Sequence, residues 1–333
     1  MKRGGSKWRG KKARELRGAR KGARARELAR NLALLVATVL LFGLVAEVAL
    51  RIMVGSESNW FGNTAATDEY YLRVRRNSWG FRDLEHDPAK KEGVTRVALV
   101  GDSFVFGVPI EDDEKIFPRL LQKELGGRFE LISVAFPGAN TAQELRLLAQ
   151  ADGVYGFDHA ILFFFPNDVE REEDPRRLSF YGHLIPGEAG KYLFSRSRFY
   201  YFLETRTRRL LERFGIRDSY EEYLRSLYRE GSPELAAHRE LLGEFLRKVG
   251  GRVTVAIVPV LHDLDDYPFS TAHDYVKGLA RASGVEVIDL LDAFQGMEAS
   301  DLVVNPYDYH FNEKAHVIVA DYLRGALEKR GLR

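Results

Sequence analysis

The chain has 333 residues, enough for one large domain or two small ones, and its 45% apolar and 29% charged residues are those of an ordinary globular protein. It has no cysteine, which excludes a lipid attached to an N-terminal cysteine and means the body needs no disulfides. A net charge of +2 hides an asymmetry: residues 1–31 carry 13 Lys/Arg against two Glu, and the remainder carries 37 basic against 46 acidic residues. A basic tail on an acidic body calls for nucleic acid or a membrane as the tail's partner.

The segment after the tail chooses between them. Residues 32–46, "LALLVATVLLFGLVA", contain Thr38 as their one polar side chain. With "EVALRIM" the stretch reaches Met53, and 22 helical residues span about 33 Å, enough for a hydrocarbon core. Glu47 interrupts the run near one end, with Arg51 at helical pairing distance. Basic residues crowd before the span and are few after it. This predicts a single-pass protein with a cytoplasmic tail (1–31), a transmembrane helix (32–53), and a body outside the cytoplasm, periplasmic or extracellular. A cleaved signal peptide fits less well, because Glu47 would occupy the −3 position before Ala49. Anionic lipid head groups are then the expected partner of the tail, and no nucleic acid is expected.

Residues 54–94 read as a linker and lead-in, with Trp79 and Phe81 of "NSWGFRDLEHD" packing on the domain that follows. From residue 95 to 333 a rhythm sets in. Apolar runs at 95–100, 129–135, 159–165, 252–259 and 285–290 alternate with helical spacing at 115–126, 141–152, 233–249, 271–283 and 312–329. Short runs apolar on both faces and separated by helices predict an α/β fold. The expected architecture is a doubly wound, five-stranded parallel sheet of order 2-1-3-4-5 between helical layers. An aromatic- and Arg-rich insertion at about 170–232 breaks the rhythm; it reads as a packed helical excursion, a cap over the site, or an apron facing the membrane.

In such a sheet, ligands bind beyond the carboxyl ends of the strands where the strand order reverses. Three strand ends meet there. The first delivers Ser103 in "GDSFVFG", the second Gly138 in "FPGANT", the third Asn167 in "FPND". A hydroxyl nucleophile beside a glycine amide and a carboxamide suits acyl transfer, whose tetrahedral intermediate needs donors at the developing oxyanion. A serine also needs a base and the base an orienting acid. His310, in an expected loop before the last helix, has Asp308 two residues earlier, where an extended backbone projects both to one side. Asp102 reads as a loop brace, His316 as structural, and Asp289 and Asp292 as caps.

The four blocks resemble those of the SGNH/GDSL hydrolase superfamily, and "NSWGFRD" and "NTAQEL" resemble its bacterial membrane-anchored members. The resemblance covers residues 77–170 and 250–329 and leaves the insertion aside. It implies that Ser103 is the nucleophile and His310 the base, with the amides of Ser103 and Gly138 and the Asn167 side chain forming the oxyanion hole. Two departures stand out. Tyr307 occupies the −3 position where many members carry the acid, so Asp308 gives D-x-H, a spacing shared with some carbohydrate-acetylating relatives. Phe165 replaces the glycine of the usual G-x-N-D and is expected to narrow the pocket floor.

The expected function is a membrane-anchored serine esterase that removes small acyl groups, chiefly acetyl, from a carbohydrate or other cell-envelope ester, with no metal or organic cofactor. Alternatives are an O-acyltransferase acting on an envelope polysaccharide with the same residues, a lipid-directed esterase, and a non-catalytic envelope scaffold or glycan-binding protein.

Overall fold

The computed structural model describes residues 5–54, 70, 73–171, 177, 180, 182–305 and 308–329. Tyr307 and parts of the 54–94 lead-in and of the 170–232 insertion lie outside the described residues. The chain divides into two units: the N-terminal helix grouped with Ser197–Leu203, and the remainder.

Helix α1 (Gly5–Val54) is continuous, and its Arg26–Met53 portion is long and apolar enough to cross a membrane. Leu, Val and Ala dominate that portion, and no proline interrupts it. Its large apolar side chains from Leu32 to Met53, Leu50 excepted, are about half or more exposed, the reverse of a helix that buries an apolar stripe in a core.

In the second unit, β1 (Thr95–Gly101), β2 (Phe129–Ala135), β3 (His159–Phe164), β4 (Val253–Ile257) and β5 (Glu286–Asp289) form a parallel sheet of order β2-β1-β3-β4-β5, the order expected. Every residue of β3 and β4 is buried, which is why their sequences run apolar without alternation. The helices are α2 (Ser103–Phe106), α3 (Phe117–Leu125), α4 (Thr141–Tyr155), α5 (Glu188–Arg196), α6 (Arg198–Arg213), α7 (Tyr220–Leu227), α8 (Pro233–Val249), α9 (Ser270–Ala282) and α10 (Glu313–Lys329). Helices α5 to α7 belong to the insertion, and α6 begins within Ser197–Leu203 of the first unit.

Two expectations need correction. The segment around His310 is not a loop: β6 (Val303–Asn305) and β7 (Asp308–Phe311) pair antiparallel, Val303 with Phe311 and Asn305 with Asp308. Strands of three and four residues are too short to leave a periodic trace. The lead-in is also more than a linker near its end. Arg82 is buried, donating from Nε to Asp113 Oδ1 at 2.7 Å and from Nη1 to Tyr70 Oη at 2.9 Å and the Gly107 carbonyl at 3.0 Å. Phe81 is buried too, with the Trp79 ring stacked on it at 6.1 Å.

Helix α10 closes the domain against α3. His316, fully buried, accepts at Nδ1 from the Phe117 amide at 3.2 Å, and burial drives its pKa down to about 3, so it is a neutral structural group. Lys115–Glu313 at 2.9 Å and Arg324–Glu124 at 3.1 Å flank that contact.

Candidate active site

Ser103 is the first residue of α2, separated from the glycine that ends β1 by Asp102 alone. Asp102 caps the helix: its Oδ1 accepts from the Phe104 amide at 3.0 Å. Gly107 ends it with φ +80°, its amide returning to the Ser103 carbonyl at 2.9 Å. The turn is thus fixed at both ends, and it holds Ser103 at the sheet edge with a fixed orientation.

The two other strand-end groups reach the same edge. Beyond β2, the Phe136 amide donates to the Gly101 carbonyl at 3.3 Å, stitching this loop to the end of β1. The turn Phe136–Ala139 is closed at 3.0 Å, with Pro137 second and Gly138 third, where φ +74° requires glycine. Beyond β3, Pro166–Val169 is a single 3-10 turn carrying Asn167, braced by Asp168, whose Oδ2 accepts from the Phe165 amide at 2.6 Å. Asn140 Nδ2 donates to the Glu170 carbonyl at 2.9 Å, tying the Gly138 loop to the Asn167 turn.

The structure brings Ser103, His310 and Asp308 into one hydrogen-bonded line. His310 Nε2 is 2.8 Å from Ser103 Oγ, and His310 Nδ1 is 2.5 Å from Asp308 Oδ1, which also accepts from the His310 amide at 3.1 Å. Asp308 and His310 alternate along β7 to the same side, as D-x-H in an extended strand must. Burial pulls the His310 pKa down, but the Asp308 charge and hydrogen bond, with the Asp102 charge, overcome it and leave it raised. Burial pushes Asp308 up, but His310 outweighs it and leaves the carboxyl below its usual range. The Phe104 ring packs 5.0 Å from the imidazole and 4.5 Å from the Phe165 ring, so Phe165 adds apolar bulk beside the base.

Sequence reasoning read Asp102 as a loop brace and missed that Glu144 and Asp168 join it behind the serine. Asp102, Glu144 and Asp168 are all buried, and both Glu144 oxygens lack a hydrogen-bond partner among the described residues. Burial, reinforced by the neighbouring negative charges, raises Glu144 and Asp168 well above the carboxylate range; burial lifts Asp102 to about 6 against the opposing pull of the Phe104 amide and His310. The legible signal was periodicity: Glu144 shares the buried stripe of α4 with Leu148, Ala151 and Tyr155, a position that normally takes an apolar residue.

Part of the insertion borders this edge. The Tyr228 hydroxyl donates to the Pro166 carbonyl at 2.7 Å. The Tyr309 hydroxyl donates to Glu221 on α7, and the Tyr220 and Tyr309 rings lie 6.0 Å apart, nearly parallel. Among the described residues no cluster of His, Asp or Glu could hold a metal ion. Asp289 caps Leu290–Phe294 by accepting from the Leu291 amide at 3.0 Å, and also holds His273 at 3.0 Å and Lys277 at 2.6 Å.

No family model matches the chain, and no curated protein matches it. Among solved structures it is similar to a lipase/acylhydrolase from Enterococcus faecalis, at 14% identity and TM-score 0.46, over 71% of this chain and 97% of that one. It is similar to Est24, a carbohydrate acetylesterase from Sinorhizobium meliloti, at 13% identity and TM-score 0.41, over 71% and 99% of the two chains. A G-D-S-L family protein from Desulfitobacterium hafniense shares 14% identity at TM-score 0.39, over 70% and 99%.

Proposed function

We propose that the chain is a membrane-anchored serine esterase that removes small acyl groups, chiefly acetyl, from a carbohydrate or other cell-envelope ester. The observation that carries this reading is the Asp308–His310–Ser103 line, with contacts of 2.5 and 2.8 Å, at the strand ends where the Gly138 loop and the Asn167 turn also lie.

In this mechanism Ser103 Oγ attacks the ester carbonyl as His310 Nε2 takes its proton. The carbonyl electrons move onto oxygen, where the Ser103 and Gly138 amides and the Asn167 side chain stabilise the charge. Collapse expels the alcohol, which takes the proton from His310 and leaves an acyl-serine. His310 then deprotonates a water that releases the acid. Asp308 fixes the imidazole tautomer and stabilises the imidazolium throughout. Phe104 and Phe165 leave an apolar wall suited to a small acyl group. In the same reading, residues 32–53 span the membrane, the basic tail meets anionic lipid on the cytoplasmic side, and the body faces outward.

An O-acyltransferase is the second reading. It is favoured by the D-x-H spacing of Asp308 and His310, which some carbohydrate-acetylating relatives share.

The test is p-nitrophenyl acetate turnover by the full chain in detergent, beside Ser103→Ala. Loss of about 10³-fold or more is expected. Equal turnover by both proteins would sink the mechanism. Counting acetyl groups on an added glycan acceptor separates transfer from hydrolysis.

A further inference from the structure

An acidic residue in an apolar span is expensive unless it is partnered. Glu47 is partnered by a segment 150 residues away: its carboxylate accepts from Ser197 Oγ at 2.9 Å, from the Arg198 amide at 3.1 Å and from the Phe199 amide at 2.8 Å. Arg51 closes the set with a 2.7 Å ion pair. The two amides belong to the first turn of α6, whose N–H groups have no partner within the helix. One carboxylate therefore serves the helix start and loses its own isolation.

Packing follows the same line. The Phe42 and Phe199 rings meet edge-on at 6.1 Å, and a Cβ on Gly43 would lie in ordinary contact with the Phe199 ring at 3.7 Å, so the ring packs directly over the helix there. Gly43 and Glu47 stand one turn apart on the same helical face. Glu47 stands six residues before Met53, or about 9 Å along the helix axis, near one end of the span. The docked segment reads "SRFYYFL", aromatic side chains with Arg196 and Arg198 at its start, and Leu203 is 46% exposed. Aromatic rings favour the boundary between head groups and acyl chains, and long Arg side chains reach from there to water.

We propose that Ser197–Leu203 is a lipid-facing clasp, held on the outer end of the span by Glu47 and seated in the head-group boundary of the bilayer. The chain thus meets the membrane twice, once through α1 and once through the start of α6. The inference rests on the reading of residues 32–53 as a span and is independent of the esterase chemistry.

The absence of cysteine makes it directly testable, since one introduced thiol carries the only label. The full chain is reconstituted into phosphatidylcholine/phosphatidylglycerol vesicles with an environment-sensitive fluorophore on Leu203→Cys, or on Glu240→Cys at an exposed position of α8. Lipid-borne nitroxide is expected to quench the label at 203 at least twofold more than that at 240, with aqueous iodide ranking them oppositely. Adding Glu47→Ala is expected to remove half or more of the lipid quenching at 203. Iodide quenching at 203 equal to that at 240, or lipid quenching that Glu47→Ala leaves intact, overturns the clasp while leaving the span. Failure of the protein to float with vesicles overturns both.

Discussion

At the scale of single residues, the site is governed by where protons reside. In the proposed mechanism His310 must be neutral to accept the Ser103 proton, and its pKa is raised, so kcat/KM should climb with pH through a midpoint above that of an ordinary histidine. In Asp308→Asn the main raising influence is gone; the midpoint should move to lower pH while the plateau falls by about 10³- to 10⁴-fold. A pH–rate profile of both proteins checks this, and an unshifted midpoint would deny Asp308 its role. Glu144 obeys the opposite linkage from a salt-bridged carboxylate. Its folded pKa lies above its unfolded one, so the stability it contributes is full below the ordinary glutamate range and is lost as pH rises from there toward the folded value. Asp168 and Asp102 act in the same sense. Glu144→Gln should flatten the fall in stability as pH rises above the ordinary glutamate range, read from denaturation midpoints; an unchanged slope would show that Glu144 is ionised in the fold. Ser103, Gly138, Asn167 and His310 were legible because each sits in a short block at a strand end. Glu144 was not, because a glutamate near a helix start is an ordinary sight.

At the scale of elements, α2 shows how four residues can be held to one geometry. Gly107 ends it at φ +80°, and a Cβ there would stand 2.3 Å from Ile116 Cγ2. Gly107→Ala combines a disfavoured dihedral with a clash against a buried side chain, and should cost about 2–4 kcal/mol of stability in denaturant titration of the solubilised chain. A loss under 1 kcal/mol would mean that the α2 corner is more pliable than drawn. The regular helices were readable to within a few residues because their apolar spacing is long. The strand β7 was not: four residues pair with three, and neither run has enough length to alternate. The end of the lead-in was likewise opaque. Arg82 is a buried cation whose partners at Tyr70, Gly107 and Asp113 lie up to 31 residues away, and no local pattern announces such a contact.

At the scale of the whole molecule, the sheet order followed from continuous apolar runs, since parallel strands covered on both faces leave few other arrangements. What sequence could not supply was the use made of the insertion. Its two ends of business, α7 beside the Asn167 turn and the start of α6 with Glu47, depend on contacts at long separation. The one acidic residue of the apolar stretch 32–53 was legible as a blemish, and its partner could be seen only in three dimensions.

The distance along the chain between Ser103 and His310 also sets a clock. During synthesis the serine emerges 207 residues ahead of the histidine, roughly 10–40 s at ordinary elongation rates. Until β7 is made and α10 locks onto α3 through His316 and its flanking ion pairs, the nascent protein holds a serine with no base. Under the proposed mechanism, a copy stalled on the ribosome, or clipped before β6, is chemically silent.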